Sequence, residues 1–168
     1  MYSERDHAGC TGGDGCPSRS FTDLNTGVWY HPYTDYVISH SLMRGLSSTL
    51  FAPNQSMTRG MMVTTLYRLA GEPQVEGTAT FQDVKSSAYY ANAVAWAEAN
   101  GIAKGIDTGV FAPNAPVTRE QAAAFAYRYV TAYLAKRRCP ALPSAASRTQ
   151  GWSPIMPQSP CPGPMPPG

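Results

Sequence analysis

Charge is scarce in this sequence. Asp, Glu, Lys and Arg together make up 14% of its 168 residues, and the net charge is +2. A nucleic-acid binder neutralises a row of phosphates with a Lys/Arg face. No such face is apparent, so no nucleic-acid partner is expected. Long hydrophobic runs are missing as well. None approaches the roughly 20 residues that cross a bilayer, and no membrane insertion is expected. Met1 is followed by Tyr-Ser-Glu-Arg-Asp-His, which does not read as a signal peptide. Taken alone, that start argues for the cytoplasm; the repeat motif described below outweighs it.

Histidine is limited to His7, His31 and His40. None is spaced with a Ser, Cys or carboxylate as a nucleophile or metal site would need, and there is no Gly-rich phosphate loop. Neither catalysis nor a cofactor is expected. Of four cysteines, Cys10 and Cys16 bracket Thr-Gly-Gly-Asp-Gly, a loop able to close as a small disulfide in an oxidising compartment. Their spacing is too wide for a zinc knuckle and no partner pair lies nearby, so no metal is expected.

What the sequence does have is repetition. Phe111-Ala112-Pro113-Asn114 through Thr118-Arg119 restates Phe51-Ala52-Pro53-Asn54 through Thr58-Arg59, at a constant offset of 60 residues (51 to 111). The same offset matches Phe21, Asp23 and Tyr30 to Phe81, Asp83 and Tyr90. It also matches Gly45 to Gly105, and Tyr67 and Arg68 to Tyr127 and Arg128. The predicted organisation is a Gly-rich leader over 1–20 without a core of its own, and repeats at 21–74 and 81–134. A Pro-rich, disordered tail follows at 139–168.

Each repeat reads as helix, loop, helix, and the predicted class is all-α. The first helix starts near Tyr30 or Tyr90, with Tyr33, Tyr36 and Val37, or Ala93, Trp96 and Ala97, on its inner face. Pro32 is tolerated in the opening turn and Gly101 supplies a stop, for which Ser41 is a weaker substitute. The second helix is capped by Thr58 or Thr118. Met62, Leu66 and Leu69 are expected inside in one copy; Ala122, Phe125, Ala126 and Tyr129 in the other. Thr118 and Gln121 have capping-box spacing. Lys136, Arg137 and Arg138 complement the dipole at the last helix end. Two helices per repeat cannot bury a full core alone, so neighbouring repeats must share one. With only two repeats, closing the bundle would call for a further neighbour or self-association.

The tail carries most of the prolines. Its Met-Pro pairs, shifted by one base, read as Ala codons flanked by repeat-like residues, which suggests a third repeat read out of frame.

Arg59 and Arg119 fall at the first helical position, where the macrodipole disfavours a cation by a few tenths to about 1 kcal/mol. A guanidinium beside free helix-start N–H groups makes an anion site. Recurrence at one register favours such a site over a solvated surface Arg.

The pattern Phe-x-Asp, Trp/Tyr-Tyr, Asn-Gly-Ile, Phe-x-Pro-Asn and Thr-Arg-Glu-Gln resembles the S-layer homology family over residues 21–74 and 81–134. The resemblance implies tandem repeats packed as a helical prism. It implies a cell-surface anchoring role through secondary cell-wall polysaccharide, often bearing an acidic pyruvate ketal. It points to Thr118, Arg119, Glu120 and Gln121, with Thr58 and Arg59 in the first copy, where Gly60 and Met61 depart from the motif. Asp23 and Asp83 match a further family position, and are as able to cap a helix as to touch a ligand. Trp29 and Tyr89 are candidates to stack on sugar rings, whereas Tyr36, Trp96, Phe51 and Phe111 are expected in the core. The competing readings are a repeat module for protein contacts and a fragment of a longer exported enzyme.

Overall fold

The computed structural model describes residues 15–138. The tail, Cys10, His7 and the out-of-frame reading lie outside the described residues. The architecture is all-α: α1 spans His31–Ser39, α2 Arg59–Leu69, α3 Ala91–Ala99 and α4 Arg119–Arg128. The chain continues from α4 through a π-helical stretch, Tyr129–Leu134, into α5, Ala135–Arg138. Among the described residues there is no strand, only isolated bridges, and no helix is long and apolar enough to cross a membrane.

Helix limits follow local chemistry. Thr58 Oγ1 accepts from Met61 N at 3.2 Å, and Thr118 with Gln121 forms the full capping box. Gly101 takes φ +68° after α3, and Ile102 N then reaches back to Ala97 O at 2.8 Å. Ser41 adopts φ +55° at the same point after α1, a conformation that costs an L-residue more than glycine. Gly45 and Gly105 recur because a Cβ at either would lie 2.6 Å from a neighbouring atom, Phe21 Cε1 and Val110 O respectively.

The core sits between the repeats rather than inside each one. Val63 and Leu66 of α2 pack with Ala93, Val94, Trp96 and Ala97 of α3, and with Ile102, Phe111 and Phe125 of the second repeat. Val63, Val94, Ile102 and Phe111 are fully enclosed, and burial of each large one is worth about 1.5–3 kcal/mol. Tyr129 and Tyr133 close the far side; Tyr133 meets Trp96 edge-on at 5.0 Å. The second repeat therefore holds the centre, with α2 as its neighbour.

Several expected inner faces need correction. Tyr33 is exposed and Tyr36 and Val37 are only half-buried; Phe51 is also half-buried. The inner face of α1 consists instead of His31, Thr34 and Asp35. Leu69 and Ala126 face solvent, and Val63 is buried on α2 although it was not among the expected inner residues. Within the leader, read from sequence as having no core of its own, Pro17–Ser20 forms a 3-10 turn against α1, with Cys16 and Ser18 buried.

Candidate functional site

The two Thr-Arg phrases are placed in different surroundings. Main-chain bonds pair the first with the second: Arg59 N donates to Ala115 O at 2.9 Å, Gly60 N to Pro113 O at 2.8 Å, and Val117 N to Met57 O at 2.9 Å. With Met61 N taken by Thr58, the start of α2 has its orphan donors satisfied by protein acceptors. Gly60 suits this close approach. A Cβ there would meet Pro113 O and Tyr90 Cδ1, each at 3.1 Å.

Arg59 itself is 4% exposed. Its Nε donates to Phe111 O at 2.8 Å, one Nη to Lys104 O at 3.0 Å and the other to Gln121 Oε1 at 3.4 Å. Its guanidinium lies 4.8 Å from the Phe111 ring centroid and 5.4 Å from that of Phe125. Burial pulls its pKa below the usual arginine value, while Asp83 opposes the shift. Thr118, Arg119 and Glu120, by contrast, are exposed at the start of α4. Among the described residues no acceptor reaches the main-chain N–H of Arg119 or Glu120.

Asp23 and Asp83 cap no helix. Asp23 accepts from Phe51 N at 2.9 Å and Ala52 N at 2.6 Å; Asp83 repeats this on Phe111 N and Ala112 N, at 2.9 and 2.6 Å. Each carboxylate clamps the Phe-Ala-Pro-Asn turn, whose Ala52 and Ala112 hold φ of +59° and +56°. The Phe51 amide is the main cause of a lowered Asp23 pKa, with Ala52 adding to it and partial burial opposing.

A groove of about 510 Å³ opens on the first repeat, with Tyr89 of the second at its edge. The turn Leu42–Leu46 and residues Phe51–Pro53 and Gln55–Met57 form one wall, α2 supplies Met61, Thr64, Thr65 and Arg68, and Tyr89 enters from the second repeat. Tyr89 is 64% exposed and lies edge-on to Tyr90 at 5.0 Å. Arg44 and Arg68 share one acidic neighbour, Glu72, at 3.5 and 3.6 Å. Arg68 Nη1 also donates to Leu42 O at 3.2 Å. Burial and Arg44 lower the Arg68 pKa against the opposing pull of Glu72 and Tyr89.

Of the candidate polysaccharide-binding residues read from sequence, Tyr89 alone lines this groove. Trp29 is 81% exposed elsewhere, beside Tyr30 and Tyr33. Arg44 and Arg68 were not singled out, although the match of Arg68 to Arg128 across the repeats was a usable signal. The histidine reading is also corrected. The fold brings His31 together with Cys16 and Asp35, and the i, i+4 spacing of His31 and Asp35 was visible in the sequence. Cys16 is a free buried thiol.

The S-layer homology domain model matches residues 20–61 and 80–123, just over half of the chain. The chain belongs to the S-layer homology domain family. An endoglucanase of Bacillus sp. (strain KSM-635) is 37% identical over 108 residues, 64% of this chain and 11% of the relative. An amylopullulanase of Thermoanaerobacterium thermosulfurigenes is 31% identical over 110 residues, 66% of this chain and 6% of the relative. The surface-layer 125 kDa protein of Lysinibacillus sphaericus is 33% identical over 87 residues, 52% and 7% respectively. The chain thus spans about a tenth or less of these S-layer homology relatives.

Proposed function

We propose that this S-layer homology pair is a non-catalytic anchoring module on a bacterial surface, binding acidic, pyruvylated secondary cell-wall polysaccharide. The observation that carries the reading is the first-repeat groove, where Arg44 and Arg68 outnumber Glu72 and an exposed Tyr89 stands at the edge. A ketal carboxylate suits an Arg pair through charge-assisted hydrogen bonds, and a sugar ring suits the tyrosine face. Arg119, with Thr118, Glu120 and Gln121, offers a second anion site at the start of α4. On this reading Thr58 and Arg59 serve by fastening the first repeat to the second rather than by touching sugar. The surface-layer relative supports the location. The endoglucanase and amylopullulanase relatives favour a second reading of scale, in which the module anchors a longer exported enzyme.

Retention on purified, peptide-free cell walls tests the proposal. Wild-type chain should be retained, and Arg68→Ala and depyruvylated walls should each reduce retention. Retention unchanged by both would exclude the carboxylate mechanism and leave protein contacts as the better account.

A further inference from the structure

At the outer end of the first repeat three chemically active side chains converge inside the protein. Cys16 Sγ lies 3.0 Å from His31 Nε2 and 3.2 Å from Asp35 Oδ2, and His31 Nε2 lies 3.0 Å from the same Oδ2. All three residues are buried. Asp35 Oδ1 accepts from Ser18 N at 3.0 Å and from Ser18 Oγ, which turns Oδ2 toward the thiol and imidazole. Ser18 Oγ also lies 3.5 Å from Thr34 Oγ1.

The sister repeat shows that the fold does not need this chemistry. At the constant offset, His31, Thr34 and Asp35 correspond to Ala91, Val94 and Ala95, which build α3 with apolar side chains. Burying imidazole, hydroxyl and carboxylate where alanine and valine suffice costs stability unless the groups are used.

We infer that Cys16, His31 and Asp35 form a zinc site that clips residues 15–20 onto α1. The donor set suits a borderline-soft divalent ion: one sulfur, one imidazole nitrogen and one carboxylate oxygen. Ordinary zinc–ligand lengths set donors about 3.3–3.6 Å apart in a tetrahedral shell, so the observed cluster need open by only a few tenths of an ångström. Cys16 would bind as thiolate, its proton passing to solvent, and His31 through neutral Nε2. Ser18 on Oδ1 is the outer hydrogen bond that fixes a ligating carboxylate. Water completes the fourth position.

The test uses the full chain without an affinity tag, under reducing conditions, loaded with zinc alone and desalted. One zinc per chain is expected, with Co²⁺ in its place giving a thiolate charge-transfer band and tetrahedral d–d bands. Chelation should lower Tm by about 5 °C. Cys16→Ser should abolish the charge-transfer band. The double variant His31→Ala/Asp35→Ala copies the sister repeat, so it should fold, bind no metal and have a Tm indifferent to zinc. Blank-level zinc in wild type, a wild-type Tm unmoved by zinc, or full metal retention by both variants would each overturn the site. A simple hydrogen-bonded thiol–imidazole–carboxylate cluster gives the first of these results.

Discussion

Arg59 Nε donates to Phe111 O at 2.8 Å, so the arginine of one repeat is an internal fastener of the next. Its counterpart sixty positions on, Arg119, is exposed. The same Thr-Arg pair has become a buried clasp in one copy and an open cation in the other.

Removing the clasp should be costly. Arg59→Ala leaves the carbonyls of Phe111 and Lys104 without their donor and empties space beside Phe111 and Phe125. A loss of about 2–4 kcal/mol is expected in urea unfolding. Arg119→Ala should stay within about 0.5 kcal/mol of wild type. Equal effects from the two substitutions would contradict the asymmetry.

Gly60 and Glu120 occupy matching positions, and only the first faces a neighbouring repeat. Gly60→Glu, which installs the second repeat's residue, should force Pro113 and Tyr90 apart and cost about 1–3 kcal/mol. Thermal unfolding would report it; Glu120→Gly should cost only the roughly 1 kcal/mol of a helix glycine.

In the groove, Arg68→Ala should weaken wall binding by about 10-fold or more, since a charge-assisted bond is typically worth 1.5–3 kcal/mol. Tyr89→Ala should weaken it several-fold. Binding isotherms on wild-type walls measure both, and Trp29→Ala serves as the exposed aromatic outside the groove.

The Asp23 clamp predicts an acid limb. Its folded-state pKa is lowered from 3.8, so the stabilisation is present above that value and is lost as pH falls through the lower folded one. The amide signals of Phe51 and Ala52 should hold steady at neutral pH and shift only below about pH 4. Asp23→Asn should erase that dependence.

Much of this was legible in sequence because it is local. Thr58 and Thr118 cap the helices that follow because a β-region Thr bonds an N–H three residues on, whatever surrounds it. Gly101 ends α3 for an equally local reason. The identities of α1's buried residues were not legible. Helical periodicity places Tyr33, Tyr36 and Val37 on one stripe, but only the packing of Pro17–Ser20 selects the His31, Thr34 and Asp35 stripe instead.

The sequence by itself determined the repeats, their helices and the family, because caps, stops and the sixty-residue echo are properties of neighbours along the chain. Tertiary structure alone decided which arginine is buried, that Asp23 and Asp83 clamp turns rather than cap helices, and that Cys16 meets His31 and Asp35. Those outcomes depend on which surface each repeat finds beside it: among the described residues the first Thr-Arg pair meets the second repeat, and the second pair meets solvent.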